Sequence, residues 1–211
     1  EWAIPGSTWT RFRISSTVGL GPNGGASDGE VEDYPIEITE LNVGITYYPS
    51  ASEWATIAFE DNWPFIGDYD FNDLVMNYRI SEYRLNGEVI RIKIEGQIAA
   101  VGGSYHNGFA FRLPGILRGT VDENAIRYTI NDIPQNTSPL ELARNEAIVI
   151  VTNDVWDFVS ASVNCNYYRT EPGCGTDIQM SFSMTLPMTN AIPSLQMPDF
   201  PYDPFLFASD G

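Results

Sequence analysis

Between Phe59 and Asp73 the chain carries five carboxylates and two asparagines in fifteen residues: Phe59-Glu60-Asp61-Asn62-Trp63-Pro64, then Gly67-Asp68-Tyr69-Asp70-Phe71-Asn72-Asp73. Anionic oxygens at that density repel one another unless a positive charge sits among them. Asp68, Asp70 and Asn72 fall at alternate positions, the spacing at which a tight turn aims successive oxygen-bearing side chains at one point, and such hard donors suit calcium. Glu60, Asp61, Asp68, Asp70, Asn72 and Asp73 are therefore the candidate ligands. The run is not an EF-hand, because counting from Asp68 puts Asp73 where glycine is required and Arg79 where glutamate is. The competing reading is a set of Asx turns, with Asp and Asn side chains bonded to backbone amides and no metal. Magnesium, which takes few carboxylates and keeps its waters, fits less well.

Other residues have weaker claims. Asp28, Glu30, Glu32 and Asp33 form a second acidic cluster, readable as another cation site or as a solvated strand edge that discourages aggregation. His106 is the single histidine. It lies in Gly102-Gly103-Ser104-Tyr105-His106-Asn107-Gly108-Phe109, where glycines permit a sharp loop and Tyr105, His106 and Asn107 are candidates to frame a shallow ligand pocket. The alternative is a hydrogen-bonded histidine that orients the loop; a zinc site would need partners the chain lacks. Asn136-Thr137-Ser138 matches a glycosylation acceptor and also reads simply as a turn. Cys165 and Cys174, the only cysteines, flank a polar turn-forming segment. A disulfide there would contribute about 2–3 kcal/mol and imply an extracytoplasmic compartment; two unlinked thiols are the other possibility.

The elements that must hold these residues are strands. Period-two alternation recurs in Arg11–Ser15, Ile90–Glu95 and Gln179–Leu186, and no long segment keeps a helical stripe. Asn86-Gly87 between Leu74–Leu85 and Glu88–Glu95 predicts a hairpin with a type I′ turn, so the acidic run feeds a long hairpin. Ala147–Val151 reads as a strand buried on both faces, Pro139–Arg144 as a helical turn, and Pro193–Pro204 as an extended strap. Phe205–Gly211 shows no obvious closing element, and Glu1-Trp2-Ala3-Ile4-Pro5 reads as the start of an excised piece. The expected architecture is all-β: an antiparallel sandwich, jelly-roll-like, over residues 41–211, with a small two-stranded unit over 1–40 that cannot bury a core alone.

Composition limits the partners. Against 28 acidic residues there are 11 basic ones, a formal net charge of −17, and Lys93 is the sole lysine. That field repels nucleic acid and anionic lipid surfaces and concentrates divalent cations. A hydrophobic fraction of 43% excludes disorder, and no apolar run approaches the roughly 18 residues needed for membrane insertion.

The acidic signature, together with Tyr105-His106-Asn107-Gly108-Phe109, Arg112-Leu113-Pro114-Gly115-Ile116 and Tyr202-Asp203-Pro204-Phe205, resembles the LruC domain of bacterial surface proteins. Arg11–Ser15 with Ala26-Ser27-Asp28-Gly29-Glu30-Val31-Glu32-Asp33-Tyr34 resembles the closing stretch of a GEVEDY domain, of which only the last portion, residues 1–40, is present. The Phe-Glu-Asp element and Asp-x-Asp-x-Asn-Asp turn are also similar to calcium-dependent ligand-binding domains of giant bacterial adhesins, which nominates the same six ligands. These resemblances imply an exported, modular bacterial protein at the cell surface, with no enzymatic activity.

Two functions remain in view. One is a secreted surface or adhesion module, stabilised by calcium and recognising a glycan or peptide on another surface. The other is a structural subunit of a filament or stalk, joined to identical subunits or adjacent domains by β-strand exchange. A hydrolase is disfavoured, because carboxylates bunched in one turn lack the separated environments that acid and base catalysis needs, and no nucleophile elbow, zinc-protease helix or phosphate loop occurs.

Overall fold

The structure, a computed structural model, describes residues 6–38, 42–60, 65–168, 173–174 and 177–209. The chain divides into two compact units, Glu1–Asn42 and Val43–Gly211.

The first unit is an antiparallel ribbon of β1 (Gly6–Ile14) and β2 (Glu30–Ile38). Arg11 faces Asp33 across the pair and its guanidinium clasps the carboxylate at 2.7 and 2.6 Å. Arg13 donates to the carbonyls of Gly21, Asn23 and Gly24, which folds the glycine-rich connection back onto the ribbon. Trp9, Phe12, Ile14, Tyr34 and Ile36 are nonetheless all exposed.

The second unit holds β3 (Val43–Tyr48), β4 (Ala55–Phe59), β5 (Leu74–Leu85), β6 (Glu88–Ala100), β7 (Asn107–Leu117), β8 (Arg127–Ile130), β9 (Ile133–Pro134), β10 (Glu146–Thr152), β11 (Ser181–Pro193) and β12 (Asp203–Ala208). All are antiparallel. One sheet has the order β3-β5-β6-β11-β8-β9, with β4 also paired to β5. The register puts β4 against Leu74–Tyr78 and β3 against Ile80–Leu85, so the two short strands share one edge of β5 end to end. The other sheet is β10-β7-β12. This is the expected all-β sandwich. Asn86 and Gly87 turn between β5 and β6 with φ of +52° and +85°, values that Asn and Gly tolerate best.

The core follows from alternation. In β5, Leu74, Met76, Tyr78 and Ile80 point inward, and in β6 Ile92, Ile94 and Ile98 do the same. They meet Phe109, Phe111 and Leu113 of β7 and Val149 and Val151 of β10 across the sandwich. Phe111 sits at the centre, its ring 5.1 Å from Phe109, 5.5 Å from Tyr78 and 6.5 Å from Phe182. On the opposite face of β7, Gly108 lies under the Phe207 ring; a Cβ there would come within 2.2 Å of it.

One polar contact is buried with the core. Glu82 is 1% exposed; one carboxylate oxygen accepts from the Tyr202 hydroxyl at 2.7 Å and the other from Arg84. Burial and the Glu82 charge push the Tyr202 phenol well above its ordinary range. A phenol held protonated in the fold contributes stability below the unfolded-chain value near 10, and that contribution is lost as pH rises further. Tyr202→Phe leaves a buried carboxylate one donor short, and a loss of about 2 kcal/mol in urea unfolding is expected; no change would show that the contact is dispensable.

Three local expectations are corrected. Residues 139–144 are not helical: Leu140 bridges Val149, the Ile150 amide donates to Pro139, and the chain then turns at Ala143 with φ +60°. Pro139 cannot donate to a helix and instead accepts from the sheet edge. β10 is fully buried only on alternate residues, Ala147, Val149 and Val151, as suits its edge position. The strap and the last segment include β12, which pairs with β7 from Asp203 to Ala208. Among the described residues no helix is long and apolar enough to cross a membrane.

Candidate metal centre and neighbouring loops

Phe59 and Leu74 are cross-strand partners, so residues 60–73 form the connection between two registered strand ends. Tyr69 and Phe71 take φ of +56° and +52°. Left-handed backbone at two alternate non-glycine positions is unusual and turns the chain sharply between the acids. The carboxylate oxygens of Glu60, Asp68 and Asp70 converge, all within 4.8 Å of one another. Asp61 lies outside the described residues.

Glu60 is the informative member. It is 8% exposed, and its Oε2 has no hydrogen-bond partner among the described residues. The Phe71 amide donates to the carboxylate. Burial, then the charge of Asp73, then those of Asp68 and Asp70, raise its pKa against that single favourable bond. A nearly enclosed carboxylate oxygen, without a hydrogen-bond partner among the described residues, thus faces two more carboxylates, a cluster of hard oxygen donors of the kind that can hold a cation.

Asn72 and Asp73 lie beside this cluster. Asn72 donates from Nδ2 to Asp70, and its backbone carbonyl accepts from the Gly102 amide at 2.9 Å. A Cβ on Gly102 would stand 1.8 Å from Asn72 Oδ1, so the acidic turn rests directly on the glycine loop that follows β6. Asn72 thus touches both Asp70 and the glycine loop. Asp73 is half-buried and contributes its charge to the site.

In the second cluster, Asp28 accepts from Ser15 Oγ at 2.8 Å and from the amide and hydroxyl of Ser16, bonds that lower its pKa. Asp33 is held low by Arg11, and Glu32 accepts from Tyr34. Of these partners Arg11 alone brings a positive charge, and it is given to Asp33.

Tyr105 is exposed, His106 stands 2.5 Å from Asp154 through Nδ1, and Asn107 opens β7 opposite Ala208. Asp154 was not foreseen. It also accepts from the Trp156 amide at 2.9 Å, capping the short 3-10 turn Val155–Asp157, so one carboxylate ties that turn to the His106 loop. The Asn-Asp pair ahead of Val155 is the cap signature that could have revealed it. Cys165 and Cys174 form a disulfide.

No curated protein matches this chain. A solved crystal structure of a "Putative lipoprotein from Bacteroides ovatus" aligns with a TM-score of 0.47 and 13% identity, covering 92% of this chain and 65% of that one. The chain thus spans less than two thirds of that protein's length. The family model described as "Domain of unknown function (DUF4842)" matches residues 87–211. That stretch runs from the β5–β6 turn through β12 and covers more than half of the chain, which therefore belongs to the DUF4842 family.

Proposed function

We propose that this chain is a non-enzymatic, calcium-stabilised module of an extracellular bacterial surface or adhesion protein, binding a glycan or peptide ligand. The observation that carries the reading is the convergence of Glu60, Asp68 and Asp70 with Glu60 enclosed and its Oε2 unpartnered. A disulfide fits an oxidising compartment, and the LruC-like and GEVEDY-like motifs fit a modular exported chain. The net charge of −17 favours cations at the turn and disfavours nucleic acid as partner. Three clustered acids in one turn serve coordination better than catalysis, which requires groups in contrasting environments. Probing immobilised glycans and peptides with the intact protein, in calcium and in chelator, tests the reading; recognition of nothing in either condition overturns it.

A structural subunit is the second reading, favoured by the exposed apolar residues of the β1–β2 ribbon and by β12 standing at a sheet edge. Light-scattering mass measurement decides it. A strictly monomeric species across the micromolar range excludes strand exchange.

A further inference from the structure

A pocket of about 240 Å³ opens where the two sheets part, between β8 and β10. The Tyr128 hydroxyl crosses that gap to the Val151 carbonyl and forms part of its floor. Tyr128 and Phe158 present half-buried aromatic rings, while Gln135, Thr137, Asn153 and Asp157 supply polar groups from three separate segments. Gln135 is fixed by its amide bond to the Tyr128 carbonyl at 2.8 Å and by its side-chain bond to Ile133. The side chains of Thr137, Asn153 and Asp157 make no hydrogen bond within the described residues. Thr137 belongs to the Asn136-Thr137-Ser138 tripeptide, so the turn at that motif forms one wall.

We propose that this pocket binds a single neutral sugar ring, the terminal residue of a glycan; the proposal rests on reading the chain as a ligand-binding module and names the site and ligand class. Among the described residues no lysine, arginine or histidine lines the pocket. A phosphate, sulfate or uronate would therefore meet the Asp157 carboxylate without compensation, in a chain already strongly negative. Hydroxyl, amide and carboxylate groups lining one pocket with two aromatic rings match what a pyranose offers: vicinal hydroxyls that both donate and accept, and an apolar face of C–H groups. The size suits one ring, not an extended oligosaccharide. No cation is needed among these groups, so binding here is independent of the acidic turn.

The test uses the full chain and methyl glycosides of glucose, galactose, mannose and N-acetylglucosamine, followed by ligand-observed and amide-shift NMR. The expected result is millimolar binding of at least one glycoside, unchanged by EDTA and by Glu60→Gln. Amide shifts should concentrate at 135–137 and 152–158. Asp157→Ala and Asn153→Ala, both at exposed positions, should each weaken binding tenfold or more while leaving the melting temperature unchanged. Undiminished affinity in both variants, shifts confined to other loops, or no binding of any neutral glycoside overturns the proposal. If a glycan or peptide found on immobilised arrays still binds while the pocket variants behave as the parent, the pocket assignment alone fails. If arrays and glycosides are both blank, the wider reading fails with it.

Discussion

Saturating calcium raises the melting temperature of chelator-stripped protein by about 5–10 °C, the shift expected when a ligand at about a hundredfold its dissociation constant stabilises a domain of this size. Glu60→Gln removes that rise. Without calcium the same variant melts no lower than the parent, because the substitution deletes a desolvated charge that Asp73, Asp68 and Asp70 oppose. The opposite signs distinguish coordination from a structural role, in which Glu60→Gln would destabilise under both conditions. The pH dependence follows the same logic. With its folded-state pKa raised above the unfolded value, Glu60 binds a proton more readily in the native state, so in chelator its penalty is relieved as pH falls through the raised value. With calcium bound, acid competes with the metal and stability falls over the same range. A calcium-induced rise of equal size in parent and Glu60→Gln, measured by scanning calorimetry, would sink the assignment.

Phe111→Ala lowers stability by about 3–5 kcal/mol, the usual range for emptying an aromatic site that cannot collapse. Phe111 is fully buried and its ring neighbours Phe109, Tyr78 and Phe182 come from three different strands of both sheets. None can fill the void without leaving its own place in the ladder, so the cavity term persists. At about 2–4 °C per kcal/mol the melting temperature falls by about 10 °C. Phe65→Ala provides the contrast: that ring is 77% exposed, and a change within about 0.5 kcal/mol is expected. Urea unfolding of both variants checks this, and a loss below about 1 kcal/mol at Phe111 would mean that the sheets repack around it.

The long hairpin was legible because alternation and Asn86-Gly87 agree at two levels, local turn chemistry and facial burial. The β1–β2 ribbon was legible from alternation and the glycine-rich break between its strands, without help from burial, since its apolar side chains are exposed. Residues 139–144 misled because Leu-Glu-Leu-Ala-Arg are all good helix formers, whereas tertiary pairing of Leu140 with Val149 settles the matter. Ala147–Val151 misled because an unbroken apolar run does not reveal that Ile148 and Ile150 stay partly open at a sheet edge. At the acidic turn, composition singled out the segment in which Glu60, Asp68 and Asp70 converge but could not rank its members. That Glu60 would be enclosed, and Asn72 turned toward Gly102, depends on how a distant loop packs against the turn. The β8–β10 pocket was invisible in the sequence, since its walls are ordinary Thr, Asn, Gln and Asp residues brought together only by the parting of two sheets.

Because Phe59 and Leu74 already face each other across the ladder, the segment they bracket leaves and re-enters the sheet at fixed points, while buried Glu60 and the bond from the Gly102 amide to Asn72 tie its two ends to the domain. Room for change lies between those ties, at Phe65 and Ile66, which are 77% and 91% exposed. Grafting foreign sequence at positions 65–66 should leave a folded domain with its acidic oxygens in place, a practical opening for display of unrelated peptides on this framework.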